Sequence, residues 1–217
     1  MLTNADLDHV LGLFLLREGG PLNLHAGNSV RSTLDQALGL TSTLDRFCGV
    51  NWHEPPLSDF APLLGADQQG LLYRAIPIPG KLPVFASDQK GSLARNLAYQ
   101  FLNPQTGRRL LVAPDVAEIT PALSGAMKDS DAVLLDGTFW SGDELGQVRP
   151  GARTARDMGH ITIRDDSLGA LAGLAARHRV YIHINNTNPV LSPGSPERAA
   201  VEAAGVVVGY DGLEFDV

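Results

Sequence analysis

The sequence predicts a single α/β domain of residues 1–217, and three observations carry that expectation. Strand-like and helix-like patterns alternate near both ends of the chain, the rhythm of α/β layering. Ala132-Val133-Leu134-Leu135 and Val180-Tyr181-Ile182-His183-Ile184 are continuous apolar runs, as expected of strands buried on both faces. Between the ends, strand-like stretches are broken by Pro and Gly in turn positions, which points to antiparallel hairpins. A chain of 217 residues with 44% hydrophobic content can close one well-buried core.

The elements follow in order. Val10, Leu11, Phe14 and Leu15 recur at helical spacing and predict a helix to about Glu18. Gly19-Gly20-Pro21 forces a turn, and Leu22 to Ala26 alternates like a short strand. Asn28 or Ser29 can cap a helix running through Val30, Leu34 and Leu38. Val50 to His53, Gly70 to Ile78 and Leu82 to Phe85 read as strands. Leu97 to Leu102 and Arg109 to Ala113 flank the hairpin turn Asn103-Pro104-Gln105-Thr106-Gly107. Thr120-Pro121 starts a short helix, with Pro tolerated at its first position. Ser167 begins a helix with Leu168, Leu171 and Leu174 on one stripe, and Ser195-Pro196 opens the last one. Val206-Val207-Val208 and Leu213-Glu214-Phe215 are expected to close the chain as a hairpin around Tyr210-Asp211-Gly212.

Composition excludes several functions. The net charge of −7, with 17 Lys and Arg spread along the chain without a run, leaves no basic face for nucleic acid. Cys48 is the only cysteine, so neither a disulfide framework nor a thiolate metal cluster can form. No apolar stretch approaches a membrane span, and the N-terminus lacks the basic region of a signal peptide. A cytoplasmic location is therefore expected.

The chemistry-bearing residues stand at corners. Asp6, Asp8 and His9 crowd the turn before the first helix, where side chains are not yet held in helical directions. A carboxylate and an imidazole at one point suit iron or zinc; the same residues would also serve as an acidic first turn beside a surface histidine. Asp115 and Asp136 lie at the ends of apolar strands, where loops converge on a crevice in α/β proteins, and His183 sits inside an apolar strand. Asp115 and Asp136 would equally serve as turn formers, and His183 as a core histidine. His160 follows Gly159, which permits close approach of backbone to a site. His25, His53 and His178 read as surface or strand-edge residues.

The order of these signals resembles the metallo-β-lactamase superfamily, whose first motif is His-x-His-x-Asp-His. Asp8 and His9 match its end, while Asn4 and Asp6 stand at its two leading histidines. Thr3 to His9, Leu135-Asp136-Gly137-Thr138-Phe139-Trp140, Met158-Gly159-His160-Ile161 and His183-Ile184-Asn185-Asn186-Thr187-Asn188-Pro189 are more closely similar to a family of pyrroloquinoline quinone (PQQ) biosynthesis proteins.

That resemblance implies a four-layer αβ/βα sandwich with a metal site at one edge. It implies one divalent metal held by Asp8, His9 and His183, with Asp115 and Asp6 as further or supporting ligands. His160 would transfer protons or contact substrate, and Asp136 and Asn185 would support the pocket. The metal would be Fe(II), with zinc the other candidate, and O₂ the co-substrate in hydroxylating the tyrosine ring of a Glu–Tyr-derived PQQ precursor. Other PQQ biosynthesis proteins and a second copy of the chain are the partners it suggests. A carrier of PQQ or its precursor and a metal-dependent hydrolase are the competing functions; Asn4 and Asp6 count against the hydrolase. The family carries several strands and a Cys-rich zinc-binding segment ahead of its metal motif, where this sequence has Met1. An N-terminally truncated sandwich with an incomplete first half is the expectation.

Overall fold

The computed structural model describes residues 1–63, 70–86 and 95–217. In chain order the elements are α1 (Leu7–Val10), β1 (Leu22–His25), α2 (Asn28–Leu38), α3 (Leu40–Leu44), β2 (Val50–His53), β3 (Ala61–Pro62), β4 (Leu72–Pro79), β5 (Arg95–Leu102) and β6 (Arg109–Ala113). They continue with α4 (Pro121–Lys128), β7 (Ala132–Asp136), α5 (Glu144–Val148), α6 (Ala155–Met158), α7 (Leu168–Ala172), β8 (His178–Ile182), α8 (Pro196–Ala203) and β9 (Val207–Val208).

Two sheets result. β1 and β2 pair in parallel, and β3 to β9 form a seven-stranded sheet in sequence order. Its first half is antiparallel through β6, and β6 to β9 are parallel. The change of direction follows from the connections: a six-residue turn joins β5 to β6, whereas helices return the chain between the later strands. Alternate side chains of the large sheet face two cores. Ile76, Ala98, Leu111, Val133, Leu135 and Tyr181 pack against Leu123, Met127, Leu171 and Val201 of the helices. Tyr73, Ala75, Leu97 and Tyr99 form a smaller cluster on the opposite face. A third core joins β1 to α2 and α3 through Leu24, Val30, Leu34, Leu40 and Leu44. Each fully buried Leu contributes about 2 kcal/mol. The layers are thus helix, two-stranded sheet, seven-stranded sheet, helix. No helix is long and apolar enough to cross a membrane, among the described residues.

Residues Leu2 to Asn4 run between the two sheets. Leu2 N donates to His25 O (2.9 Å), Leu97 N donates to Thr3 O (2.8 Å), and Tyr99 Oη donates to Leu2 O (2.8 Å). This short segment couples both layers and delivers Asp6 to His9 to the sheet edge.

Several expectations are corrected. The first helix has one α turn and then tightens to a 3₁₀ helix over Leu11–Leu16, which buries Val10 and Leu13 three residues apart. Gly27, not Asn28 or Ser29, is the N-cap of α2. Leu82 to Phe85 is no strand: Val84–Ala86 is a 3₁₀ turn closed by Ala86 N on Pro83 O, because Pro83 has a fixed φ suited to a turn. A π turn over Ile163–Ser167 precedes α7. The C-terminal hairpin does not form. β9 joins β8 in parallel, and the tail crosses the sheet instead, with Phe215 stacked on His178 at 4.6 Å. His25 is buried, with Nδ1 2.7 Å from Tyr73 Oη. β8 ends at Ile182, so His183 lies just beyond the strand rather than inside it.

Candidate metal centre

The site forms where α1, the ends of β6, β7 and β8, and the loop after α6 meet. Asp6 is the N-cap of α1, and its N–H donates to Asn4 Oδ1 at 2.9 Å, closing a local turn. Asp8 and His9 follow in the first helical turn. His183 enters from β8 through a left-handed backbone conformation (φ 55°), unique to it among described non-glycine residues. Gly137 N on Ile182 O (2.8 Å) and Asn185 N on Thr138 O (3.1 Å) bind the two sides of this bend to the β7 exit. A Cβ at Gly137 would lie 2.9 Å from that of Tyr181, so only glycine fits there.

Three donor atoms converge. His9 Nε2 is 3.0 Å from His183 Nε2, His183 Nε2 is 3.3 Å from Asp8 Oδ2, and His9 Nε2 is 3.7 Å from Asp8 Oδ2. Ligands about 2.0–2.2 Å from a tetrahedral ion lie roughly 3.4 Å apart, so these atoms have the size of one face of a metal tetrahedron. The opposite ring nitrogens are engaged by hydroxyls: His9 Nδ1 by Thr3 Oγ1 at 3.2 Å, His183 Nδ1 by Thr138 Oγ1 at 2.8 Å. The residues fit a divalent ion with open coordination positions.

A second group, Asp136, His160 and His183, also clusters closely enough to hold an ion. Hydrogen-bond accounting argues against it. The Asp136 carboxylate accepts from Val116 N (2.9 Å), Thr138 N (2.9 Å), Thr138 Oγ1 (2.6 Å) and His160 Nδ1 (2.8 Å). Those four bonds occupy the lone-pair positions of a carboxylate. This group supports the first one from behind.

The remaining expected residues are placed as follows. Asp115 is buried and accepts from Asn4 Nδ2 (2.6 Å), with its other oxygen 3.5 Å from His160 Nδ1. Among the described residues, neither Asp115 nor Asp6 joins a cluster of three donors. His160 stacks on His183 (5.6 Å between centroids) and lines a cavity of about 250 Å³ together with Glu118, Arg156 and Asp166. Asn185 directs its amide to Thr187 Oγ1 (2.6 Å), whose hydroxyl donates to buried Glu144 (2.6 Å). On the other side, His183 borders a cavity of about 380 Å³ with Ile182, Leu213 and Phe215. Sequence reasoning passed over Thr3, Thr138 and Glu144; a threonine after Asp-Gly signals a turn, and nothing in its neighbours signals a partner 45 residues away.

The charges are mutually adjusted. Burial lifts the Asp115 carboxyl to about 7, with Asp136 and Asp6 adding to it and His160 opposing. Burial would lower His183, but the Asp136, Asp115 and Asp8 carboxylates together outweigh it and raise it to about 9. Burial and neighbouring His183 lower His9. Burial works against ionised Asp136, yet the hydrogen bonds from His160 and Thr138 and the nearby His183 ring hold it below the usual carboxylate range.

Two packed sheets between helical layers, with a donor cluster at the sheet edge, define a metallo-β-lactamase-fold protein. Residues 1–184 match the family model described as the beta-lactamase superfamily domain. A diphosphatase of the PhnP family shares the fold, with a TM-score of 0.61 at 18% identity, over 97% of this chain and 67% of its own. Similarity is much greater to coenzyme PQQ synthesis protein B. The protein of that name from Methylobacterium radiotolerans is 37% identical over 100% of this chain and 72% of its own length. That from Cupriavidus necator is 36% identical over 99% of this chain and 72% of its own. The crystal structure of Zn(2+)-bound PqqB from Methylobacterium extorquens superposes with a TM-score of 0.85 at 32% identity, over 100% of this chain and 72% of that one. The chain belongs to the coenzyme PQQ synthesis protein B family.

Proposed function

We propose that this protein acts in PQQ biosynthesis as a mononuclear metal enzyme that hydroxylates the tyrosine ring of a Glu–Tyr-derived precursor, using Fe(II) and O₂. The observation that carries the reading is the convergence of Asp8 Oδ2, His9 Nε2 and His183 Nε2 within 3.7 Å of one another. Two imidazoles and a carboxylate with open positions are the donor set of non-haem iron oxygenases. Its relatives bear the name of PQQ synthesis, and one of them binds zinc, which the same donors accept. Bound iron would supply a place to reduce O₂ beside the substrate.

The chain's own residues then have distinct tasks. His160, its Nδ1 held by Asp136, retains Nε2 for proton exchange with a phenolic hydroxyl of the substrate. Asn4 and Asn96 position Asp115 through its carboxylate and its backbone carbonyl. Asn185, Thr187 and Glu144 hold the loop that carries His183.

The test is metal content and single-turnover O₂ consumption, with Asp8→Ala and His9→Ala beside the parent protein. The expected result is about one iron per chain, O₂ uptake dependent on the precursor, and loss of both in either variant. Precursor binding without O₂ uptake, unchanged in Asp8→Ala, would replace the enzyme with a carrier. Zinc-dependent cleavage of a phosphodiester would replace the oxygenase with a hydrolase.

A further inference from the structure

We propose that Thr138 is a positioning residue that presets His183 as a metal ligand, fixing its ring proton on Nδ1 and leaving Nε2 for the ion. The inference rests on the metal reading of Asp8, His9 and His183 and goes one shell beyond it.

The argument is one of hydrogen-bond supply. Thr138 Oγ1 lies 2.6 Å from Asp136 Oδ1, 2.9 Å from the His183 carbonyl oxygen and 2.8 Å from His183 Nδ1. A hydroxyl has one hydrogen to give and two lone pairs to receive. The carboxylate and the carbonyl can only accept. If Nδ1 were bare, three acceptors would compete for one hydrogen. With a proton on Nδ1, His183 donates to Oγ1 and only two acceptors are left for the hydroxyl hydrogen, which goes to Asp136 Oδ1 as the shorter contact and is shared with the His183 carbonyl oxygen. Thr138 is buried, and its own N–H is tied to the same Asp136 oxygen at 2.9 Å, so the hydroxyl cannot swing away. The proton on Nδ1 is therefore the one the site retains, and Nε2 is the nitrogen that gives up its proton to an ion.

His9 is the contrasting case. Thr3 Oγ1, 3.2 Å from His9 Nδ1, can either give or receive a hydrogen. His9 can thus carry its ring proton on either nitrogen, with a single hydrogen shared between its Nε2 and His183 Nε2 at 3.0 Å. One histidine is preset and the other adapts. Outer partners of this kind are worth roughly tenfold or more in metal affinity.

The experiment compares the parent protein with Thr138→Val, Thr138→Ser and Thr3→Val. Zinc affinity is measured by chelator competition, and the His183 ring protons are followed by NMR in the zinc-loaded proteins. Thr138→Val keeps the shape and loses the hydroxyl. It is expected to weaken zinc roughly tenfold and to abolish a slowly exchanging His183 Nδ1–H signal. Thr138→Ser should restore both, and Thr3→Val should change affinity by less than Thr138→Val does. Zinc on Nδ1 of His183, or an unchanged affinity and Nδ1–H signal in Thr138→Val, overturns the proposal. If the parent protein takes up no zinc, the metal reading falls by itself. Nitrogen-15 shifts of metal-free protein at pH 10 then still decide the tautomer, and a proton on Nε2 alone would overturn this inference.

Discussion

Asn4 stands where the superfamily motif has a metal-binding histidine, and its amide has a different task. It bridges Asp6 N to the Asp115 carboxylate, locking the turn that presents Asp8 and His9. A residue that departs from a motif has here become part of the scaffold for the residues that keep it. Asp8, His9 and His183 stood out as candidates by residue type and position, but only the family resemblance grouped them as one ligand set. Thr138 did not stand out, since its role depends on a hydroxyl meeting an imidazole across the loop after β8, a coincidence of the fold and not of the chain. The same holds for the division of labour between Asp136 and Asp8. Both precede or follow apolar runs, and only burial and four hydrogen bonds show that Asp136 has no lone pair left to offer.

Strands were the easiest elements to read. β6, β7 and β8 have continuous apolar character, and caps at Thr120 and Ser195 appear where Pro follows a hydroxyl residue. Segments at the chain's edges were harder, because apolar residues such as Leu213 and Phe215 satisfy themselves by covering a sheet as well as by joining one. The parallel edge of the sheet also depends on Asp131 at the entrance to β7. Its carboxylate accepts from Arg109 N (2.9 Å) and pairs with Arg108, while its backbone oxygen accepts from Arg177 N and His178 N. The Arg109 amide first, and Arg108 after it, hold Asp131 below the ordinary carboxylate range. A depressed folded-state value means stability that is present above about pH 3.9 and is lost as pH falls through the folded value. Asp131→Asn is therefore expected to lower stability at pH 7 by about 1 kcal/mol, or roughly 2–4 °C in Tm. The gap between parent and variant should close as the solution is made acidic, measured by thermal melts across pH. A gap that stays constant with pH would assign the effect to packing.

At the scale of the molecule, the donor cluster joins two layers. Asp8 and His9 belong to the segment that enters the two-stranded layer, whereas His183 directly follows β8 of the seven-stranded sheet. Among the described residues, these layers meet through a small aromatic cluster, the His25–Tyr73 contact and the hydrogen bonds of Leu2 and Thr3. An ion held across that seam favours the folded state by mass action. Zinc at about 100 times its Kd should add about 2.7 kcal/mol, seen as a rise in Tm of roughly 5–10 °C. Asp8→Ala should lose most of that rise. A rise retained in full would mean that zinc binds elsewhere.

The left-handed backbone at His183 inverts the usual ranking of replacements. Alanine is normally the gentler probe and glycine the disruptive one, but at φ 55° alanine must strain its Cβ while glycine is at ease. His183→Gly should therefore be more stable than His183→Ala by about 1 kcal/mol, keeping the bend between β8 and Asn185 intact. It would also leave an imidazole-shaped gap against Thr138. Free imidazole added to His183→Gly should then recover zinc binding by chemical complementation, read by the same chelator competition, while the alanine variant recovers less. Failure of imidazole to restore zinc in the glycine variant would show that the covalent tether, and not the ring alone, sets the ligand in place.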